Sequence, residues 1–258
     1  MDFHIFYTLS LAIFGLLFGS FANVCVHRIP LGESVVTPGS HCPSCNTAIA
    51  WYDNIPLLSW LMLGRKCRHC ASPIAYRYPL LELTMSGIWG IIAWHYPPSL
   101  FLVQSIIFVS MLWVLTLIDL ETFLLPNVIT LPGIVIGLLF AWFGGYLIEA
   151  SIGALAGYAV FWLVARLFFL ATGREGMGQG DFKLLAMLGA FMGWQALPFI
   201  ILLSSVTGTI IGSISLLMAK KGLQAEIPYG PYLAAAGVIW YFWSEYILAW
   251  YQATIMGV

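Results

Sequence analysis

The chain has 258 residues, 61% of them hydrophobic and 8% charged, with a net charge of −1. Soluble domains carry roughly 25% charged residues and the mean hydropathy here is +0.92, so a soluble globular class is excluded and an all-α polytopic membrane protein is expected. The balance of charge offers no basic surface for nucleic acid, and the length allows about eight spanning helices and one small water-facing domain.

The first apolar stretch, residues 5–22 (IFYTLSLAIFGLLFGSFA), is not preceded by Lys or Arg; the first basic residue is Arg28. A secretory signal carries its positive charge in front, so this stretch reads as a retained first helix. Apolar runs of spanning length fall at 5–26, 80–96, 100–118, 128–148, 150–171, 182–196, 198–218 and 232–250, the sixth being short enough to be tilted or re-entrant. Arg28, Arg65, Lys66, Arg68 and Arg77 lie between the first two runs. Arg166, Arg174 and Lys183 flank the link from the fifth to the sixth, and Lys220 and Lys221 follow the seventh. By the positive-inside rule all ten basic residues fit eight spans with both ends outside. The expected division is residues 1–26 as first helix, 27–79 as a cytoplasmic domain and 80–258 as the membrane core.

Residues 27–79 carry CPSC (Cys42, Cys45) and CRHC (Cys67, Cys70), two C-x2-C pairs with 21 residues between them. Four thiolates in two knuckles suit a tetrahedral zinc ion, and a segment this short usually needs such a staple. Disulfides disagree with a reducing cytoplasm; a redox pair and unliganded thiols are the competing readings. His41 and His69 stand beside the cysteines and read as surface residues. Cys25, inside the first run, reads as a small buried residue. Residues 51–61 (WYDNIPLLSWL) read either as a stretch along the membrane surface or as a strand and loop of the zinc-ribbon-like domain.

Two carboxylates then stand out. Asp119 closes the third run in IDLETFLLPN, where Pro126 is expected to start the next helix. Asp181 precedes the sixth run in GMGQGDFKLL, where Gly178 and Gly180 permit positive φ and close approach of another chain. Both belong to the same face on this topology. The alternative for Asp181 alone is a helix N-cap. Two close carboxylates share a proton, so one can activate water while the other donates to the leaving group. By helix polarity Asp181, near an N-terminus, is the expected base, and Asp119, near a C-terminus, the acid. Glu121 and Glu175 read as solvated, and Lys183 as facing away from Asp181 or anchoring lipid phosphate.

The segments GSFANVCVHRIP, both C-x2-C pairs, WYDNIPLLSW, YRYPLLEL, IDLETFLLPNVITLP, GMGQGDFKLLAMLGAFMGW and PYGPYL together resemble the bifunctional type IV prepilin peptidases, membrane aspartyl proteases of the GxGD kind. The resemblance runs from about residue 19 to 235. It implies an inner-membrane enzyme, with its site facing the cytoplasm, that removes the basic leader of prepilins or of type II secretion pseudopilins after a Gly. The new N-terminal residue is then methylated with S-adenosylmethionine. It also implies Asp119 and Asp181 as the catalytic pair and Cys42, Cys45, Cys67 and Cys70 as the cysteines of the cytoplasmic domain. Asn127, where many members have Asp, and Tyr229, where Phe is common, depart from the pattern. No Rossmann glycine fingerprint is present, so a methyl-donor site has to come from the cysteine domain and adjoining helix ends. Glu82 is a candidate contact for donor or substrate amine, with an acid snorkelling to the interface as the alternative. The resemblance implies prepilin or pseudopilin as partner; membrane lipid and, in a homo-oligomer, further copies of the chain are the other partners expected.

Two other classes compete. A transporter or channel would use the acids for cations or protons, but such acids lie nearer the midplane and such folds carry internal repeats; none is evident here. A zinc-stapled assembly protein would use the aspartates only as helix caps.

Overall fold

The structure is a computed structural model that describes residues 3–218 and 227–256. Lys220 and Lys221 lie outside the described residues. Those described are helical, with two isolated bridges, His41 with Ala48 and Lys66 with Pro73, and no strand. The helices are α1 (Phe3–Arg28), α2 (Leu58–Met62), α3 (Arg77–His95), α4 (Leu100–Thr122), α5 (Asn127–Gly144), α6 (Leu147–Thr172), α7 (Gln179–Met192), α8 (Leu197–Met218) and α9 (Gly230–Tyr251). Among the described residues, five stretches are long and apolar enough to cross a membrane: α1, α4, α5, α6 and Trp194–Ile214. The chain is therefore a multi-pass membrane protein. By compactness it divides into Met1–Ser110 and Met111–Val258.

In Met1–Ser110, α1 lies against α3 through two glycines one helical turn apart. A Cβ on Gly15 would fall 2.8 Å from Ser86 Cα, and one on Gly19 2.7 Å from Glu82 Cα. Small residues of this kind let helix backbones meet where lipid supplies no hydrophobic drive. α1 ends at Arg28, which is buried. Its guanidinium donates to the carbonyls of Ser34 (3.0 Å), Pro38 (2.7 Å) and Gly39 (3.2 Å), drawing the following loop over the helix end. Residues 51–61 form no strand. They make a 3-10 turn, Trp51–Asn54, and then α2, with Trp51, Leu58, Leu61 and Met62 exposed.

In Met111–Val258, α7 is the central element. With 14 residues it is about 21 Å long, short of a hydrocarbon core of about 30 Å. Phe182 and Leu184–Phe191 are all buried, so α7 is sheathed by protein and has no lipid thickness to match. Glycines again set the approach. A Cβ on Gly157 of α6 would meet Leu185 O at 2.7 Å, and one on Gly137 of α5 would meet Phe191 Cδ2 at 2.8 Å. α4 stops where Phe123 takes φ +56, a left-handed conformation that costs a bulky residue of order 1–3 kcal/mol. The turn it makes sends the chain back toward α7. The next helix starts one residue later than expected: Pro126 is its extended cap and Asn127 its first residue.

Candidate active site and metal centre

Asp119 sits in the last turn of α4 and is 4% exposed. Its Oδ2 accepts the backbone N–H of Gly230, the first residue of α9, at 2.9 Å. A side chain at 230 is not accommodated, because a Cβ there would fall 2.7 Å from that same oxygen. Asp181 lies in the first turn of α7 but is not its cap. Gly178 holds that position with φ −73, and Asp181 is three residues on, its N–H donating to Gly178 O at 3.2 Å. The Gly178 backbone amide lies beside the Asp181 carboxylate, as in the reciprocal half of a capping box.

One side chain ties the two aspartates together. Leu125, just past the Phe123 turn, would touch a Cβ on Gly180 at 2.7 Å and one on Gly230 at 3.2 Å. The residue before Asp181 and the residue bonded to Asp119 thus close on the same leucine. The carboxylates are near enough for the charge of one to act on the other, and no ion pair among the described residues involves either. The expectation of positive φ at Gly178 and Gly180 fails, since neither is among the glycines with positive φ. Close approach is the reason that holds, and only for Gly180. The helix-polarity argument for roles fails as well. Asp119 is at the C-terminal end of its own helix, but it also receives the N-terminal amide of α9. Both carboxylates therefore face positive helix ends.

Lys183 Nζ donates to Asn127 Oδ1 at 2.7 Å. The pair joins the second turn of α7 to the first residue of α5. Glu121 and Glu175 are exposed. Glu82 is buried in α3, and its Oε2 accepts the Leu57 N–H at 2.9 Å; it does not snorkel to an interface. Sequence reasoning gives no role to Gly230, Leu125 or Asn23, although all three lie inside the motifs quoted above. What marks Gly230 is its contact with a residue 111 positions away, which no local spacing reveals.

The four cysteines converge, with their sulfur atoms all within 4.8 Å of one another. The two knuckles repeat one backbone. Cys42 N–H donates to Thr47 O and Cys67 N–H to Ser72 O. Asn46 N–H returns to Cys42 O and Ala71 N–H to Cys67 O, and Asn46 and Ala71 share positive φ of 55 and 58. Cys42 Sγ and Cys70 Sγ are 3.8 Å apart, the edge of a tetrahedron with zinc–sulfur bonds of about 2.3 Å. The backbone N–H groups of Cys45 and Ser44, with the Ser72 hydroxyl, pull the Cys42 thiol down to about 6. That favours the thiolate a metal needs. The Ser72 hydroxyl and backbone lower Cys70 in the same way. His41 and His69 are exposed and outside the cluster.

The chain matches known proteins over most of its length. The model of the bacterial peptidase A24 N-terminal domain matches residues 13–96, and that of the type IV leader peptidase family matches residues 106–213. A prepilin leader peptidase/N-methyltransferase of Aeromonas salmonicida is 42% identical over 271 aligned positions, covering 95% of this chain and 93% of the relative. One from Pseudomonas aeruginosa is 42% identical over 273 positions with the same coverage. One from Neisseria gonorrhoeae is 38% identical over 254, covering 88% of this chain and 87% of its own. No solved structure matches the chain. With a domain model over each part and relatives alike over most of their length, the chain belongs to the type IV leader peptidase family.

Proposed function

We propose that the chain removes the basic leader from type IV prepilins or type II secretion pseudopilins, at the cytoplasmic face of the inner membrane, with Asp119 and Asp181 as the catalytic pair. The observation that carries this is the convergence of the two carboxylates, from the last turn of α4 and the first turn of α7, on Leu125 and the Gly230 amide. Two such groups in a poorly hydrated setting cannot both ionise easily, so the pair holds one proton. The ionised member takes a proton from a water as that water's oxygen bonds to the scissile carbonyl carbon. The protonated member serves the carbonyl oxygen and then the leaving amine as the C–N bond breaks. Gly178, Gly180, Lys183 and Asn127 shape this site. The transporter reading finds no support in these relatives, each of which is named as a peptidase and methyltransferase.

We read the fold as eight spans, adding α3, α7 and α9 to the five long apolar stretches, and divide the chain by role into 1–26, 27–79 and 80–258. The four-cysteine cluster of the middle segment holds structural zinc. The relatives' names include N-methyltransferase, so S-adenosylmethionine is the methyl donor proposed for a second activity. The test incubates detergent-purified protein with a model prepilin and S-adenosylmethionine and reads the product mass. Wild type trims the leader and adds the mass of one methyl group, while Asp119→Asn and Asp181→Asn do not trim. Trimming by both variants at the wild-type rate would reduce the aspartates to structural residues.

A further inference from the structure

A cavity of about 480 Å³ lies within Met1–Ser110, and Asn23, His27, Asp53, Trp60, Tyr78 and Glu82 are among the residues that line it. Its size is within the roughly 300–1,000 Å³ of small-molecule sites. Two of its walls are chemically incomplete. Glu82 is 7% exposed, and its carboxylate is held by the Leu57 N–H with the Ser20 hydroxyl beside it; no Lys, Arg or His pairs with it among the described residues. Asn23 is 5% exposed, and its Nδ2 donates to Gly19 O and Tyr78 O, while its Oδ1 has no donor. A buried charge is retained where something neutralises it, and a buried acceptor where something donates to it. The Leu57 backbone that meets Glu82 is itself held at φ +60, a strained conformation for a branched side chain and one that collects at functional sites.

We propose that this cavity binds the methyl donor, with Glu82 as counter-charge to its cationic centre and Asn23 Oδ1 as an acceptor for its N–H or O–H groups. The inference rests on the methyltransferase half of the proposed function. A nucleoside sulfonium such as S-adenosylmethionine brings a positive charge, several donors and an aromatic base for Trp60 or Tyr78, and its bulk suits the volume. A bare peptide amine would fill only a fraction of it. In the transfer, the new N-terminal nitrogen, having released one ammonium proton to water, bonds to the methyl carbon as the sulfur–carbon bond breaks. Positive charge passes from sulfur to nitrogen and a neutral thioether leaves. Glu82 faces that charge before and after.

The test is binding, not turnover. Equilibrium dialysis with labelled S-adenosylmethionine and S-adenosylhomocysteine compares wild type with Glu82→Gln and Asn23→Leu, each checked for zinc content and unfolding midpoint. Wild type should favour the sulfonium over the neutral thioether. Glu82→Gln should bind the sulfonium about tenfold or more weakly and lose that preference. Ultraviolet crosslinking of the labelled donor to wild type, mapped by mass spectrometry, gives a readout free of variant folding, with label expected on peptides carrying Trp60 or Tyr78. Wild type that binds donor, with both variants binding equally or with label in Met111–Val258, overturns this location and leaves the methyltransferase reading standing. Wild type that binds no donor overturns both.

Discussion

In Met1–Ser110 the four thiols sit on a segment whose regular pieces are two helical turns and two isolated bridges. In Met111–Val258 the two carboxylates sit on end turns of helices packed through glycines. The cysteine segment keeps its shape with left-handed residues at Asn46, Leu57, Arg65 and Ala71 and exposes Trp51, Leu58, Leu61 and Met62. It has little core of its own, and an ion shared by its two knuckles would replace one. The carboxylates are positioned by close packing, through Gly180, Gly230, the Leu125 side chain and the buried α7. A polar constellation can thus be held by a ligand or by close packing, and the two should fail differently when disturbed.

The largest effect expected is on the cysteine side, where zinc is proposed to take the place of a core. Stripping zinc with a strong chelator removes a folding contribution of about 10 kcal/mol or more, on the scale of structural zinc sites. Limited proteolysis should then cut within residues 29–76 while Met111–Val258 stays resistant; equal resistance with and without metal would break the comparison. Next come Asp119→Asn and Asp181→Asn. Each should lower leader cleavage about a thousandfold, with the unfolding midpoint of wild type, because the packing does not depend on these charges. Cleavage by wild type should fall on both sides of a pH optimum, as a pair that shares one proton requires; a plateau to high pH would deny the shared proton. Gly230→Ala tests packing directly. Its Cβ displaces Asp119 by a sizeable fraction of an ångström, and cleavage should drop about a hundredfold, measured as kcat with an unchanged substrate series.

Smaller effects sharpen the contrast. Lys183→Met removes the bond to Asn127 and should slow cleavage a few-fold, on the order of one hydrogen bond near 1 kcal/mol. Asn127→Asp keeps the contact as an ion pair and should retain the rate. The smallest effect is at the exposed clamp where Arg68 donates twice to Asp53, at 2.6 and 2.7 Å. The guanidinium holds the Asp53 carboxyl below the usual carboxylate range. Its stabilisation is therefore present above the ordinary carboxylate pKa and lost as pH falls through the depressed one. Asp53→Asn should lower the unfolding midpoint slightly at neutral pH and leave it unchanged in strong acid, read by fluorescence of the purified protein.

The helices could be read from sequence because their apolar runs are continuous. Asp119, Asp181 and the cysteines could be read because charged and thiol groups are scarce enough to stand out. Other features arise only from pairing distant residues. Gly230 acquires meaning from Asp119, Asn23 from the cavity, and Asn127 from Lys183. Glycine is the ambiguous letter: in GMGQGD it suggests backbone freedom, whereas Gly180 is there for what it lacks, a side chain that would strike Leu125. For residues 51–61 the strand alternative fails because aromatics mixed with Pro set no period, and a segment with so little core takes short helical turns instead.

The leucine between the two glycines also limits how this site can change. Because Gly180 and Gly230 both abut Leu125, the three positions act as one, and substitutions among them should be strongly non-additive. An alanine at 180 is tolerated only if 125 shrinks, and a smaller 125 loosens 230 and with it Asp119. Homologous enzymes that carry a side chain at the Gly180 position should therefore carry a smaller residue at the leucine, whereas at Gly230 the Asp119 carboxylate itself excludes one. An engineered Leu125→Ala should partly rescue Gly180→Ala while impairing the wild-type background, so the aspartates can be moved only as a set.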